Sequence, residues 1–199
     1  MRSIVIIPAL NEETNIPLLL EKILSLSSDT PDVLVVDDHS CDRTVSIVEK
    51  VSALSLRVKV IASPRAEHGL AYCYKAGFGH ALKNGYEAVI GMDADGSHDP
   101  LEIPHLLLGL ENADWVVGSR YVSGGDAPGL GWARYLISRL ANFYIEKKLR
   151  IKIRDMTSGF NCFKADVLKR VDFLNIGSKG FVFQVEMKYL ALKAGFVFN

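Results

Sequence analysis

At 199 residues, with 49% hydrophobic and 23% charged residues, the chain has the make-up of a globular domain and is long enough for one substantial core. Its 23 basic residues are balanced by 23 acidic ones, and a net charge of zero gives none of the bulk electrostatics of a nucleic-acid binder. Three scattered cysteines, Cys41, Cys73 and Cys162, form no CxxC pair; they read as incidental thiols of a reducing compartment, not as a zinc knuckle or a disulfide framework.

Residues 3–7 are short, apolar and β-branched, the pattern of a buried parallel strand. The run is too short for a secretory leader and is stopped by Pro8. Ile16, Leu19, Leu20, Ile23 and Leu24 then follow the spacing of one apolar helix face. A second strand is predicted over 33–36. A helix carrying Ile47, Val48, Val51 and Leu54 at helical spacing spans 44–54, and a third strand spans 58–61. Gly69 opens a helix over 70–84 and Gly85 closes it. The fourth strand is 88–92. Asp99-Pro100 is a helix start, a carboxylate cap followed by proline at the first helical position. The fifth strand is 113–117. Glycines 124, 125, 129 and 131, with Pro128, mark a long loop before a helix over about 132–148. Residues 157–160 lead into a short strand, and a helix runs over about 181–194. Residues 195–199 read as a strand just begun, so the expectation is a single catalytic domain over 1–199, truncated at its C-terminus.

Alternating strands and helices imply an α/β fold: a mostly parallel, doubly wound central sheet with helices on both faces. Such sheets bind ligands at the carboxyl ends of their strands. Three of those ends are acidic: Asn11-Glu12 after the first strand, Asp37-Asp38 after the second, and Asp93-Ala94-Asp95 after the fourth. Carboxylates there are costly unless they meet a cation or hydrogen-bond donors. If the segment stays extended, Asp93 and Asp95 face one side and reach one point. Hard oxygen ligands suit Mg²⁺ or Mn²⁺, which keep positions open for diphosphate oxygens. Asp37 and Asp38 either hold a ribose or base edge or cap the turn into the next helix, and Glu12 either does likewise or sits in a first helical turn. Arg120 follows the fifth strand. Arg134 and Ser138, four apart, share a helix face beside Arg139, and arginines suit phosphate oxygens. The five histidines show no ligand spacing, and most read as surface or turn residues. No GxxxxGK[ST], GxGxxG or GxSxG stretch appears.

At these residues the chain resembles the GT-A family 2 glycosyltransferases, within them the branch of dolichol-phosphate mannosyltransferase and bacterial polyprenyl-phosphate transferases. The resemblance is carried in collinear order by Ile6-Ile7-Pro8-Ala9-Leu10-Asn11-Glu12, Val35-Val36-Asp37-Asp38-His39-Ser40 and Gly69-Leu70-Ala71-Tyr72. It continues through Met92-Asp93-Ala94-Asp95-Gly96-Ser97-His98-Asp99-Pro100, Val117-Gly118-Ser119-Arg120-Tyr121, Trp132, Ser138-Arg139, Thr157-Ser158-Gly159-Phe160 and Phe183-Gln184-Val185-Glu186. It implies a GT-A fold. It also implies a nucleotide pocket lined by Pro8, Leu10, Glu12, Val36 and Asp38, and diphosphate and metal at Asp93, Ala94 and Asp95, with Ser97 a further ligand. Arg120, Arg134 and Ser138 would face the phosphates of donor and acceptor. The activity implied is inverting transfer of a sugar, mannose from GDP-mannose, to a polyprenyl or dolichyl phosphate, with Mg²⁺ or Mn²⁺ as cofactor. A cytoplasmic protein resting peripherally on the membrane face, or held there by a membrane-anchored partner, follows from the lipid acceptor. The chain departs from the family pattern at Ala9-Leu10, where a hydroxyl residue and tyrosine are usual, at His39, usually glycine, and at Gly96, usually leucine. Two rivals stand beside this reading. One is a family 2 transferase using a UDP-sugar with a polysaccharide or other acceptor; the other is a non-catalytic nucleotide-sugar-binding domain.

Overall fold

A computed structural model describes residues 1–26, 31–64, 68–119, 147 and 155–199. Its elements, in chain order, are β1 (Ser3–Ala9), α1 (Ile16–Leu24), β2 (Asp32–Asp37), α2 (Thr44–Leu54), β3 (Val58–Ala62) and α3 (Leu70–Lys83). Then come β4 (Ala88–Gly91), α4 (Ile103–Gly109), β5 (Trp115–Val117), β6 (Asn161–Lys164), α5 (Ala165–Arg170) and α6 (Phe181–Lys193). The expected loop over 124–131, the helix over 132–148, and Arg120, Arg134, Ser138 and Arg139 lie outside the described residues.

The six strands form one sheet in the order β3-β2-β1-β4-β6-β5. β1 is central, parallel to β2 and β4, and buried at every position, which is why its sequence is a continuous apolar run. Its side chains alternate between two cores. Ile4 and Ile6 join Leu34, Val36, Tyr74, Phe78, Phe163 and Phe183, under α3, α5 and α6. Val5 and Ile7 join Val33, Val35, Ile90, Leu20, Ile23, Val48 and Ile103, under α1, α2 and α4. Helices on both faces of a mostly parallel sheet are the expected architecture.

Two features were not legible. β6 runs antiparallel to both β4 and β5, with Gly91 opposite Asn161. The six-residue α5 follows it immediately and is too short for a periodicity to declare it. Asp99 does cap as expected, its Oδ1 accepting from Leu101 N at 3.1 Å, but it opens a 3₁₀ turn (Pro100–Glu102) that becomes α-helical only at Ile103. Phe198 bridges Trp115 in parallel, so the last residues add to the edge of the sheet beyond β5.

Helix α3 lies unusually close to β1. A Cβ on Gly77 would overlap Ile6 Cγ2, so glycine is what lets the helix backbone sit directly on the central strand. That approach governs where the side chain one turn earlier, Tyr74, arrives.

Candidate active site at the carboxyl edge of the sheet

The strand order places the carboxyl ends of β2, β1 and β4 side by side. The turns after β1 and β2 are laced together by side chains. Asn11 N donates to Ser40 Oγ (2.9 Å) and Cys41 N to Asn11 Oδ1 (2.8 Å). Glu12 N donates to Thr44 Oγ1 (2.8 Å) and Glu13 N to Asp42 Oδ2 (3.0 Å). Arg43 Nε reaches Glu13 Oε2 at 3.0 Å. That bond holds the Glu13 carboxyl below its ordinary range. At Asp42 desolvation works the other way, yet the bonds from Thr44 and Glu13 keep it lowered too. Both turns use a left-handed residue two positions past the strand, Asn11 at φ 57° and His39 at φ 65°. The second explains why glycine is usual at position 39 in the family the chain resembles.

The predicted pocket residues divide. Pro8, Val36 and Ala94 are buried, and the Val36 and Ala94 side chains belong to the two cores. Leu10, 52% exposed, and the half-buried Glu12 open to solvent. Glu12 Oε2 accepts from Asn15 Nδ2 at 2.8 Å, and its carbonyl accepts from Asn15 and Ile16 N, so it also starts α1. Asp38 Oδ1 accepts from Ser63 Oγ (2.9 Å) and Oδ2 from Gly69 N (2.8 Å), tying β2 to the start of α3. Asp37 Oδ2 accepts from Ser40 N at 3.1 Å, the turn-capping role left open above, while its buried Oδ1 has no partner among the described residues. Burial, then the Asp38 and Asp37 charges, push the Cys73 thiol beneath them up to about 12. Cys73 and Cys162 are buried and inert; Cys41 is exposed.

At Asp93 and Asp95 the extended-segment expectation does not hold. β4 ends at Gly91, and Ala94 and Asp95 lie in a turn completed by Gly96 at φ 77°, which accounts for glycine there. The two carboxylates therefore differ. Asp95 is exposed and its Oδ1 accepts from Ser97 N at 3.0 Å. Asp93 lies deeper, its side chain 19% exposed, and Oδ1 accepts from the hydroxyl of Tyr74 at 3.1 Å. His98 corrects the expectation of a surface histidine: its side chain is 10% exposed and its ring stacks on Phe160 at 5.0 Å. Its Nδ1 accepts from Asp93 N at 3.1 Å, which puts the ring proton on Nε2, 3.9 Å from Asp93 Oδ2.

The 155–160 loop closes this side of the site. The antiparallel register that pairs Gly91 with Asn161 brings Gly159 opposite Asp93. A Cβ there would stand 2.7 Å from Asp93 Oδ2. From beneath, the fully buried Lys188 of α6 donates to the carbonyls of Asp155 (3.2 Å), Met156 (3.0 Å) and Ser158 (2.9 Å). Ser158 Oγ donates to Gly118 O at 2.8 Å, tying the loop to the end of β5. Tyr74, Lys188 and His98 were not found from sequence. Tyr74 and Lys188 occupy apolar faces of helices and carry no local signal.

Comparison with known proteins places the chain in a family. A profile of glycosyl transferase family 2 matches residues 4–172. The chain is 35% identical over 196 residues to a polyprenol monophosphomannose synthase of Mycolicibacterium smegmatis, covering 98% of this chain and 74% of that protein. It is 37% identical over 195 residues to an undecaprenyl-phosphate mannosyltransferase of Micrococcus luteus, covering 98% and 79%. Among solved structures, glucosyl-3-phosphoglycerate synthase of Mycobacterium tuberculosis in complex with UDP superposes with a TM-score of 0.67 at 18% identity, over 94% of this chain and 64% of that one. The same enzyme with Mn²⁺ and UDP-glucose gives 0.66 at 20% identity, over 94% and 63%. At that identity the likeness is one of fold, and it is a GT-A fold. Matched along most of its length by the family profile, and by two curated transferases across nearly all of it, the chain belongs to glycosyl transferase family 2 and is a glycosyltransferase.

Proposed function

We propose that this glycosyltransferase moves a mannosyl residue from GDP-mannose to a polyprenyl phosphate, with inversion at the anomeric carbon. The observation that carries the reading is the similarity, over 98% of this chain at 35% and 37% identity, to a polyprenol monophosphomannose synthase and an undecaprenyl-phosphate mannosyltransferase. The acidic turns at one sheet edge support it. Leu10, Glu12 and the backbone of Pro8, Val36 and Asp38 would receive the nucleoside, and Asp93, Ala94, Asp95 and Ser97 the diphosphate. Arg120, Arg134 and Ser138, outside the described residues, would meet the donor and acceptor phosphates.

A divalent cation fits the donor set. Asp93 and Asp95 offer hard oxygens, but among the described residues no three His, Cys, Asp or Glu side chains converge as a closed metal site. Two carboxylates suit Mg²⁺ or Mn²⁺, which fill their remaining positions with water and phosphate oxygens. Such a cation, when bound, neutralises charge on the departing diphosphate. The acceptor phosphate is already anionic at neutral pH and needs no strong base. Its oxygen bonds to the anomeric carbon as the bond from that carbon to the diphosphate oxygen breaks, and the nucleoside diphosphate leaves. No helix among the described residues is long and apolar enough to cross a membrane. The lipid acceptor would then be reached by peripheral contact or through an anchored partner.

The test is turnover of GDP-mannose and of UDP-glucose with undecaprenyl phosphate in detergent, with Mn²⁺ and with EDTA. Mannosyl lipid formed only with GDP-mannose and metal is expected. Glucosyl lipid alone would replace the donor, and nucleotide-sugar binding without turnover would leave a binding domain.

A further inference from the structure

Asp93 is held from two sides by groups that carry no motif. The first is Tyr74. It is fully buried and lies over Gly91, where a Cβ would stand 3.0 Å from its Cε1. Its ring packs parallel to Phe183, 6.3 Å between centroids at 8°, and against Phe78 at 5.5 Å, so its hydroxyl has little freedom. A buried hydroxyl needs a partner, and a backbone carbonyl would satisfy it without drawing a charge toward the core. Here the partner is a carboxylate, Asp93 Oδ1, at 3.1 Å. The second group is Gly159, whose missing side chain leaves just the room the carboxylate occupies.

We infer that Tyr74, with Gly159 opposite it, is a positioning residue that orients the Asp93 carboxylate for a divalent cation bound together with the nucleoside diphosphate. The inference rests on the reading of Asp93 given under the proposed function. A carboxylate fixed before the ligand arrives loses no rotamer freedom on binding, which is how outer partners of metal ligands act.

The experiment is calorimetric titration of GDP and of UDP, each with Mn²⁺ and with EDTA, into the wild-type chain, Tyr74→Phe, Gly159→Ala, Asp93→Asn and the Tyr74→Phe/Asp93→Asn double variant. Tyr74→Phe keeps the ring and its packing. It is expected to weaken Mn²⁺-dependent affinity about 10- to 100-fold, the usual effect of removing such a partner, with affinity in EDTA unchanged. Gly159→Ala, which removes no bond, should do the same by displacing the carboxylate. The double variant should be no weaker than Asp93→Asn, because Tyr74 acts through Asp93. Full Mn²⁺-dependent affinity in Tyr74→Phe, or a double variant weaker by the product of the single losses, overturns the inference and leaves the role of Asp93 intact. Equal losses with Mn²⁺ and with EDTA overturn it in favour of a purely structural tyrosine. If Asp93→Asn itself keeps Mn²⁺-dependent affinity, or the wild type binds neither nucleotide in that way, the reading of Asp93 falls and takes the inference with it.

Discussion

Lys188→Met tests the loop that faces Asp93. Methionine keeps the apolar stem of the lysine and removes the ammonium. Three carbonyls, on Asp155, Met156 and Ser158, then lose a donor inside the fold. Asp155 O keeps the amide of Ser158 and Ser158 O keeps Asn161 Nδ2, so what is lost is three hydrogen bonds to a charged donor, at about 1.5–3 kcal/mol each roughly 5–9 kcal/mol before relaxation. Removing a fully buried ammonium recovers several kcal/mol of desolvation, the offsetting term. The balance is a loss of about 2–4 kcal/mol. At roughly 2–4 °C per kcal/mol for a chain of this length, the melting temperature should fall by about 5–15 °C. Differential scanning calorimetry measures it, with hydrogen exchange at the amides of 155–160 as the local readout. A variant melting within about 2 °C of wild type, with unchanged exchange there, would refute the claim that the ammonium organises this loop.

Asp95→Ala should leave the fold intact, because Asp95 is exposed and its bond from Ser97 N closes only a local turn; Mn²⁺-dependent GDP binding should be lost, and a wild-type binding isotherm would remove Asp95 from the site. Gly77→Ala should destabilise despite alanine's better helix propensity, since its Cβ overlaps Ile6; the loss expected from overpacking is about 1–3 kcal/mol, read from the denaturation midpoint, and a stabilised protein would contradict the close approach of α3 to β1. The Glu13 and Asp42 carboxyls lie below their ordinary values of 4.5 and 3.8, so their contribution is present above those values and lost as pH falls through the lowered ones. Melting temperature followed downward from pH 5 should therefore drop less steeply in a Glu13→Gln/Asp42→Asn variant than in wild type, and equal slopes would show that the clasp between the first two turns does not contribute.

Much of the frame could be read in advance because its signals are local. The apolar run before Pro8, the helical spacing from Ile16 to Ile23 and the Asp99-Pro100 start depend on a few neighbouring residues; the first two appear as elements with ends within a residue or two, and the third opens as the 3₁₀ turn that leads into α4. The acidic strand ends could be located for the same reason. Their geometry could not. The alternation expected of Asp93 and Asp95 assumed an extended chain, whereas the turn at Gly96 separates a half-buried carboxylate from an exposed one. His98 looked like a turn residue because nothing nearby in the chain announces Phe160 as its stacking partner.

The chain by itself determined the βα order, the acidic edge and family membership, since hydrophobic period and turn chemistry act over a handful of residues. Only the tertiary structure decided what surrounds those acids. The antiparallel pairing of β6 with β4 puts Gly159 against Asp93. The contact of Gly77 with Ile6 brings the Tyr74 hydroxyl within reach, and Lys188 crosses from α6 to carbonyls some thirty residues earlier. Each depends on packing between segments distant in the chain, and such contacts leave no periodicity in the sequence from which to infer them.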